Sequence, residues 1–258
     1  MFVISQSLNE QFQKIVTHVE NEPKAIGLFL SGSRGKEQQT EVSDYDFNII
    51  LLDNVPEEIK NKFRKYDEIE GIDCSVFTMS ELKEYAEFGS EFEWDRYSFA
   101  HVKTTVDKTN GELQKIIDEK GKIPNDHLQQ YVSGYLDGYI NSVYRAMKCL
   151  RDGYDFGFRL EAASTINYFL KCAFAVHDRR LLPYPKYMKY ELENFPLTKF
   201  PWNPRELMTK IEKILETGDY KILQEFLIEM EKVLRNEGYG HVFDSWEGQD
   251  KWSMTFQP

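Results

Sequence analysis

Asp44 and Asp46 flank Tyr45 at the head of an apolar run, DYDFNIILL. On a strand, carboxylates two residues apart share a face about 6–7 Å from one another, while Tyr45 and Phe47 turn to the opposite face. Like charges so placed repel, and a divalent cation removes that penalty. Hard oxygen ligands suit Mg²⁺, which takes one or two carboxylates together with phosphate oxygens. Asp73 is a third acid, in the strand-like run GIDCSVF, and completes a cluster if the two runs are neighbours. Upstream, SGSRG follows another apolar run. Its Gly32, Ser33 and Arg34 offer flexible backbone N–H groups and a hydroxyl, the materials of a phosphate cradle. A phosphate cradle, metals and an in-line nucleophile are the parts of two-metal phosphoryl transfer.

The elements that must position these residues read as follows. Residues 7–20 form an amphipathic helix, with Leu8, Phe12, Ile15, Val16 and Val19 at helical spacing. Strands are expected at Ala25–Ser31, Asp44–Leu52, Gly71–Phe77 and His101–Asp107, with a helix after Pro56 and another over Asn110–Glu119. The pattern changes after EKGKIPND. Leu128, Val132, Tyr135, Tyr139, Val143, Met147 and Leu150 form one helical stripe over 127–150. Gly153 reads as a helix stop and Asp155 as the next N-cap, opening a buried helix over Phe156–His177. Pro183 and Pro185 punctuate a loop, and shorter helices follow at 204–216 and 219–236. The expected fold class is α+β: a small mixed-sheet domain over 1–122, then an all-helical bundle over 123–258.

The chain of 258 residues carries a formal charge of −11, which argues against partners held through a nucleic-acid backbone. No run is long and apolar enough to span a bilayer, and the N-terminus lacks a signal-peptide pattern. Cys74, Cys149 and Cys172 are scattered without CxxC spacing, as in a reduced, cytoplasmic protein. His241 and Asp244 alone make a poor metal site.

Gly32-Ser33, eleven residues on to Asp44, then Asp44-x-Asp46 resembles the nucleotidyltransferase signature of the DNA polymerase β superfamily. The resemblance covers about residues 25–77. It departs at Glu37, where members often have a second glycine; Gly35 stands nearby as a substitute. The resemblance implies that Ser33 contacts nucleotide phosphate and that Asp44 and Asp46 hold Mg²⁺. Asp73 would be either a third metal ligand or the general base toward an acceptor hydroxyl. The later chain resembles the helical domain of bacterial aminoglycoside nucleotidyltransferases, through EWDRYSFAH, RLEAASTINYFLKCAFAVHDRRLLPYPKY and GHVFDSWE.

Glu161 sits on an otherwise uncharged helix stripe with Thr165, Tyr168 and Cys172. It is a second candidate base, because a helical-domain glutamate has that role in the kanamycin-modifying branch; an early-turn acid complementing the helix dipole is the other reading. Arg179, Arg180, Lys186 and Lys189 form a basic island, with Lys186 the expected triphosphate ligand. Trp94, Asp95 and Arg96 are expected to line an acceptor cleft or, for the tryptophan, to pack a seam. The expected activity is Mg²⁺-dependent transfer of a nucleoside monophosphate, AMP from ATP or its counterpart from another nucleoside triphosphate, to a hydroxyl of a small molecule such as an aminoglycoside. The resemblance implies two Mg²⁺ ions and leaves a homodimer open. A protein acceptor and a non-catalytic nucleotide-binding module are the alternatives.

Overall fold

The computed structural model describes residues 2–258, with side chains from residue 8 onward. The chain divides into two compact units, Met1–Lys122 and Ile123–Pro258. The first contains, in order, α1 (Phe2–Asn21), β1 (Ala25–Leu30), α2 (Gly32–Gly35), β2 (Tyr45–Leu51), α3 (Glu57–Arg64), β3 (Ile72–Thr78), α4 (Met79–Glu84), β4 (Thr104–Asp107) and α5 (Glu112–Lys120).

The four strands form one mixed sheet in the order β3-β2-β1-β4. β1 runs antiparallel to both β2 and β4, while β2 and β3 are parallel, with α3 in the crossover between them. Alternation along β2 assigns its faces. Tyr45, Phe47, Ile49 and Leu51 are buried against Phe12, Ile15 and Val19 of α1 and Phe63 of α3. Ile50 turns the other way, into a cluster with Phe29, Met79, Leu82, Phe99, Leu113 and Ile117. α4 starts directly off β3 through a capping box, in which the Thr78 hydroxyl accepts from Glu81 N and the Glu81 carboxylate accepts from Thr78 N.

Several boundaries differ by one or more residues from the sequence reading, and three of them lie in this unit's key connections. Asp44 lies outside β2, which begins at Tyr45. His101 has φ +64, so the chain bends there and β4 starts only at Thr104. Asn110 and Gly111 are both left-handed, which delays α5 to Glu112.

The second unit contains α6 (Asn125–Arg151), α7 (Asp155–Ala175), α8 (Met188–Asn194), α9 (Pro204–Thr217), α10 (Tyr220–Asn236), α11 (Gly240–Asp244) and α12 (Gln249–Thr255). Gly153 is left-handed between α6 and α7, and Tyr154 rather than Asp155 holds the N-cap position. α6 and α7 pack together, and an aromatic core fills the space beneath α10. Phe169 is fully buried, stacked on Phe226 at 4.5 Å between ring centres and 5.4 Å from Phe200; Trp202 lies 4.6 Å from Phe226. Phe169→Ala should therefore cost about 3–5 kcal/mol, the range for emptying a closed aromatic site. Urea unfolding measures it, and a loss below about 1 kcal/mol would show that the core collapses around the void.

The three cysteines are free thiols, and burial pushes the Cys74 thiol up to about 12 and raises that of Cys172 as well. Among the described residues no helix is long and apolar enough to cross a membrane.

Candidate functional site

One end of a sheet face that is otherwise apolar carries polar side chains. Asp46 pairs in register with Asp73, and Asn48 pairs with Ser75, in the parallel β2–β3 ladder. Paired residues on neighbouring strands share a face about 4.8 Å apart. The next row on that face, Ile50 with Phe77, enters the apolar cluster under α4 and α5. The face thus begins as two rows of polar side chains and ends as core. None of these four polar residues is buried, and Asp73 is exposed.

The loop after β1 closes against the first row. Ser31 N donates to Asp46 O at 2.9 Å, continuing the β1–β2 ladder, and Asn48 Nδ2 donates to Ser31 Oγ at 3.3 Å. Gly32 then takes φ +55, and a Cβ there would fall 2.0 Å from Asp46 Oδ2. Only glycine allows this backbone to lie on the carboxylate. Gly35 N donates to Ser31 O at 2.8 Å, and a Cβ on Gly35 would meet Leu30 O at 2.4 Å, so a second glycine is required by close approach. Glu37 occupies the place where the resemblance calls for glycine, and its φ is +55. The chain takes a left-handed conformation there without a glycine. Ser33 lies in the short turn of α2, half-buried, with its carbonyl accepting from Gln38 N at 2.8 Å.

Gly32→Ala should reduce any activity of this site at least about tenfold, because it combines roughly 1–3 kcal/mol of backbone strain with displacement of Asp46. Comparing turnover with the melting temperature checks this; full activity in a stable variant would disprove the close approach.

Arg34 has a different task from the one its loop suggests. Its Nε donates to Asp44 O at 2.7 Å, its Nη2 donates to Ser43 O at 2.8 Å, and the guanidinium lies 3.7 Å from the Tyr45 ring centre. It pins the chain at the entry to β2 and so sets where Asp44 sits. Lys36 is buried beside it, with Nζ donating to the carbonyls of Tyr97, Ser98 and Ala100 at 3.1, 3.3 and 2.6 Å. Lys36, Asn48 and Ser75 escaped the sequence analysis, although i+2 alternation from Asp46 and Asp73 points to the last two.

Partial desolvation against the sheet raises the Asp73 carboxyl from its ordinary value although the residue remains exposed, with Asp67 and then Asp44 adding to the shift. Asp67 is a further acid not foreseen in the sequence; its Oδ1 accepts from Cys74 N at 3.0 Å. Among the described residues no three His, Cys, Asp or Glu side chains are arranged to hold a metal by themselves. The donor chemistry here is a pair of carboxylates in register with a third at the strand mouth. That set fits a hard cation that completes its shell with phosphate oxygens and water.

The remaining expected residues lie on other elements. Glu161 and Lys186 belong to the second unit. Glu161 forms an ion pair with Arg145, joining α7 to α6. Lys186 is exposed, with Nζ 4.9 Å from the Tyr187 ring centre. The basic island is smaller than its sequence suggests. Arg180 binds Glu191 Oε2 at 2.8 Å and Phe195 O at 2.7 Å, and Arg179 Nη1 donates to Ile123 O at 3.1 Å. Arg96 lines no cleft, because it is 3% exposed and turned into the fold. Trp94 is 67% exposed, and Asp95 Oδ2 accepts from Tyr85 Oη at 3.0 Å. Asp244 pairs with Arg235, and Trp246 Nε1 donates to Asp137 Oδ1 at 3.0 Å, so the C-terminal segment docks within its own unit.

No family model and no curated protein matches the chain. Among solved structures, it is similar to a nucleotidyltransferase-like protein from Exiguobacterium sibiricum 255-15, at 9% identity and a TM-score of 0.37. The likeness covers 90% of this chain and 78% of the other. It is too slight to assign a family, and the site rests on its own geometry.

Proposed function

We propose that this chain is a nucleotidyltransferase that uses a divalent cation, Mg²⁺ for preference. It would move a nucleoside monophosphate, AMP from ATP in the first instance, to a hydroxyl of a small molecule such as an aminoglycoside. The observation that carries this reading is the in-register Asp46–Asp73 pair with Gly32 pressed onto the Asp46 carboxylate. A strand pair bearing only structural acids has no need of a loop whose glycine touches one of them.

Asp44 and Asp46 would hold the cation, which when bound neutralises charge on the phosphates, and Asp73 would stand beside them as the general base. Gly32 and Ser33 would carry the phosphate chain, and Arg34 would hold the approach to β2 in shape through its bonds to Ser43 and Asp44. The acceptor oxygen would attack the α-phosphorus in line, forming the new P–O bond as the bond to pyrophosphate breaks. The acceptor proton would pass to Asp73. Glu161 is the weaker base, because Arg145 already engages its carboxylate.

The test is transfer from each of four α-labelled nucleoside triphosphates, with Mg²⁺, to panels of aminoglycosides, other hydroxylated small molecules and proteins. A labelled small-molecule product supports the reading. A labelled protein moves the acceptor to the alternative class, and nucleotide binding without turnover moves the chain to a sensing role.

A further inference from the structure

The second unit contains a groove of about 430 Å³ between α9 and the start of α10. Its volume lies within the range of small-molecule sites. Arg205, Thr209 and Lys213 line one wall. They stand four residues apart on α9 and therefore on one helical stripe. Lys221, in the first turn of α10, lines the other wall.

The acids of the groove are all engaged within the fold. Glu206 Oε2 accepts from Asn203 N at 3.0 Å in the box that caps α9. Asp219 Oδ1 accepts from Lys221 N and Ile222 N at 3.0 and 3.3 Å, capping α10. Glu225 takes the Trp202 indole N–H at 2.8 Å through one oxygen and Lys210 Nζ at 2.6 Å through the other. The cations are not matched in this way. Among the described residues the side chains of Arg205 and Lys213 make no hydrogen bond or ion pair, and Lys221 Nζ has only the Tyr220 ring, 6.0 Å away. In a chain of net charge −11, the groove lining carries four cations, Arg205, Lys210, Lys213 and Lys221, against three acids, and so is locally positive.

We infer that the groove between α9 and α10 binds a small, soluble anion bearing two or more phosphates. The Arg205 guanidinium offers a fork for phosphate oxygens, Lys213 and Lys221 supply charge from either wall, and the Thr209 hydroxyl donates between them. An extended polyanion or an anionic membrane would meet the repulsion of the whole acidic surface, whereas a small ligand meets only the groove. A free polyphosphate and the phosphate chain of a nucleotide share this chemistry. The inference does not depend on the transfer site, since its readout is binding alone.

The test is calorimetric titration of the full chain, at near-physiological salt and without divalent cations, with inorganic tripolyphosphate, ATP and phosphatidylserine vesicles in turn. The charge-reversed pair Arg205→Glu with Lys213→Glu is compared with Lys14→Glu with Lys62→Glu, which changes the net charge equally. The expected result is tripolyphosphate binding that weakens at least about tenfold in the groove variant and is retained in the control. Tighter binding of ATP, lost in the same variant, identifies the nucleotide as the source; equal binding identifies the phosphate chain. No binding by the native chain, an equal loss in both variants, or binding to vesicles alone overturns the inference.

Discussion

Asp46→Asn should lower nucleotide transfer by at least about 100-fold, the scale on which removing one preorganised electrostatic contact acts. The substitution preserves size and shape, so the close contact with Gly32 and the β2–β3 ladder remain. What disappears is one negative charge at the centre of the first polar row. Asp73 then stands opposite a neutral amide, and Asp44 alone no longer makes a doubly charged site for a cation. Because the loss falls on the charge, raising Mg²⁺ should recover part of the activity, whereas raising acceptor should recover none. Steady-state kinetics across metal concentration, with circular dichroism to confirm the fold, would decide this. Native turnover in the variant would remove Asp46 from the chemistry.

Arg96→Met should destabilise the first unit by about 3–5 kcal/mol, the cost of breaking a buried charged network on one side. Arg96 is 3% exposed. Its Nη1 donates to Ala86 O at 2.9 Å, and its Nη2 donates to Glu119 O and Lys122 O at 3.2 and 2.9 Å. One guanidinium thereby ties the stretch after α4 to the C-terminal end of α5, where free carbonyls attract a cation. Methionine fills much of the volume but takes the guanidinium donor from the buried Ala86 O and the half-buried Lys122 O, at about 1–3 kcal/mol each, whereas Glu119 O keeps its bond from Lys122 N. Arg96→Lys should rescue only a small part, because one ammonium cannot reproduce the planar fork. Urea unfolding of the three proteins measures the difference; a loss under about 1 kcal/mol in Arg96→Met would mean that the carbonyls find other donors.

The α+β class, the helices around α6 and α7 and the three strands nearest the site were legible because alternation and helical spacing are local properties. The acids were legible as residue types. Their pairing was not: that Asp46 faces Asp73 depends on a parallel register set through the α3 crossover, which no local pattern contains. Direction was hidden too. Arg34 lies in a loop that looks made for phosphate, yet its guanidinium turns back onto Ser43, Asp44 and Tyr45. Arg179 and Arg180 read as part of a basic island because no local pattern marks Glu191, eleven residues on, or the Ile123 carbonyl, 56 residues back, as their partners. α8 follows two prolines that mark a loop; its seven residues are too few for a periodic signal, and Leu192 and Glu191 are buried by tertiary packing.

The central claim is that the polar rows of β2 and β3 take a cation with the phosphates of a nucleotide. Paramagnetic broadening of backbone amide signals by Mn²⁺ with ATP tests it most directly, because broadening reports distance from the bound ion whatever the acceptor. The account predicts that signals of Gly32, Ser33, Asp46 and Asp73 vanish first, and that Asp46→Asn abolishes the effect. Broadening centred on other residues, or the same pattern in the variant, would contradict it.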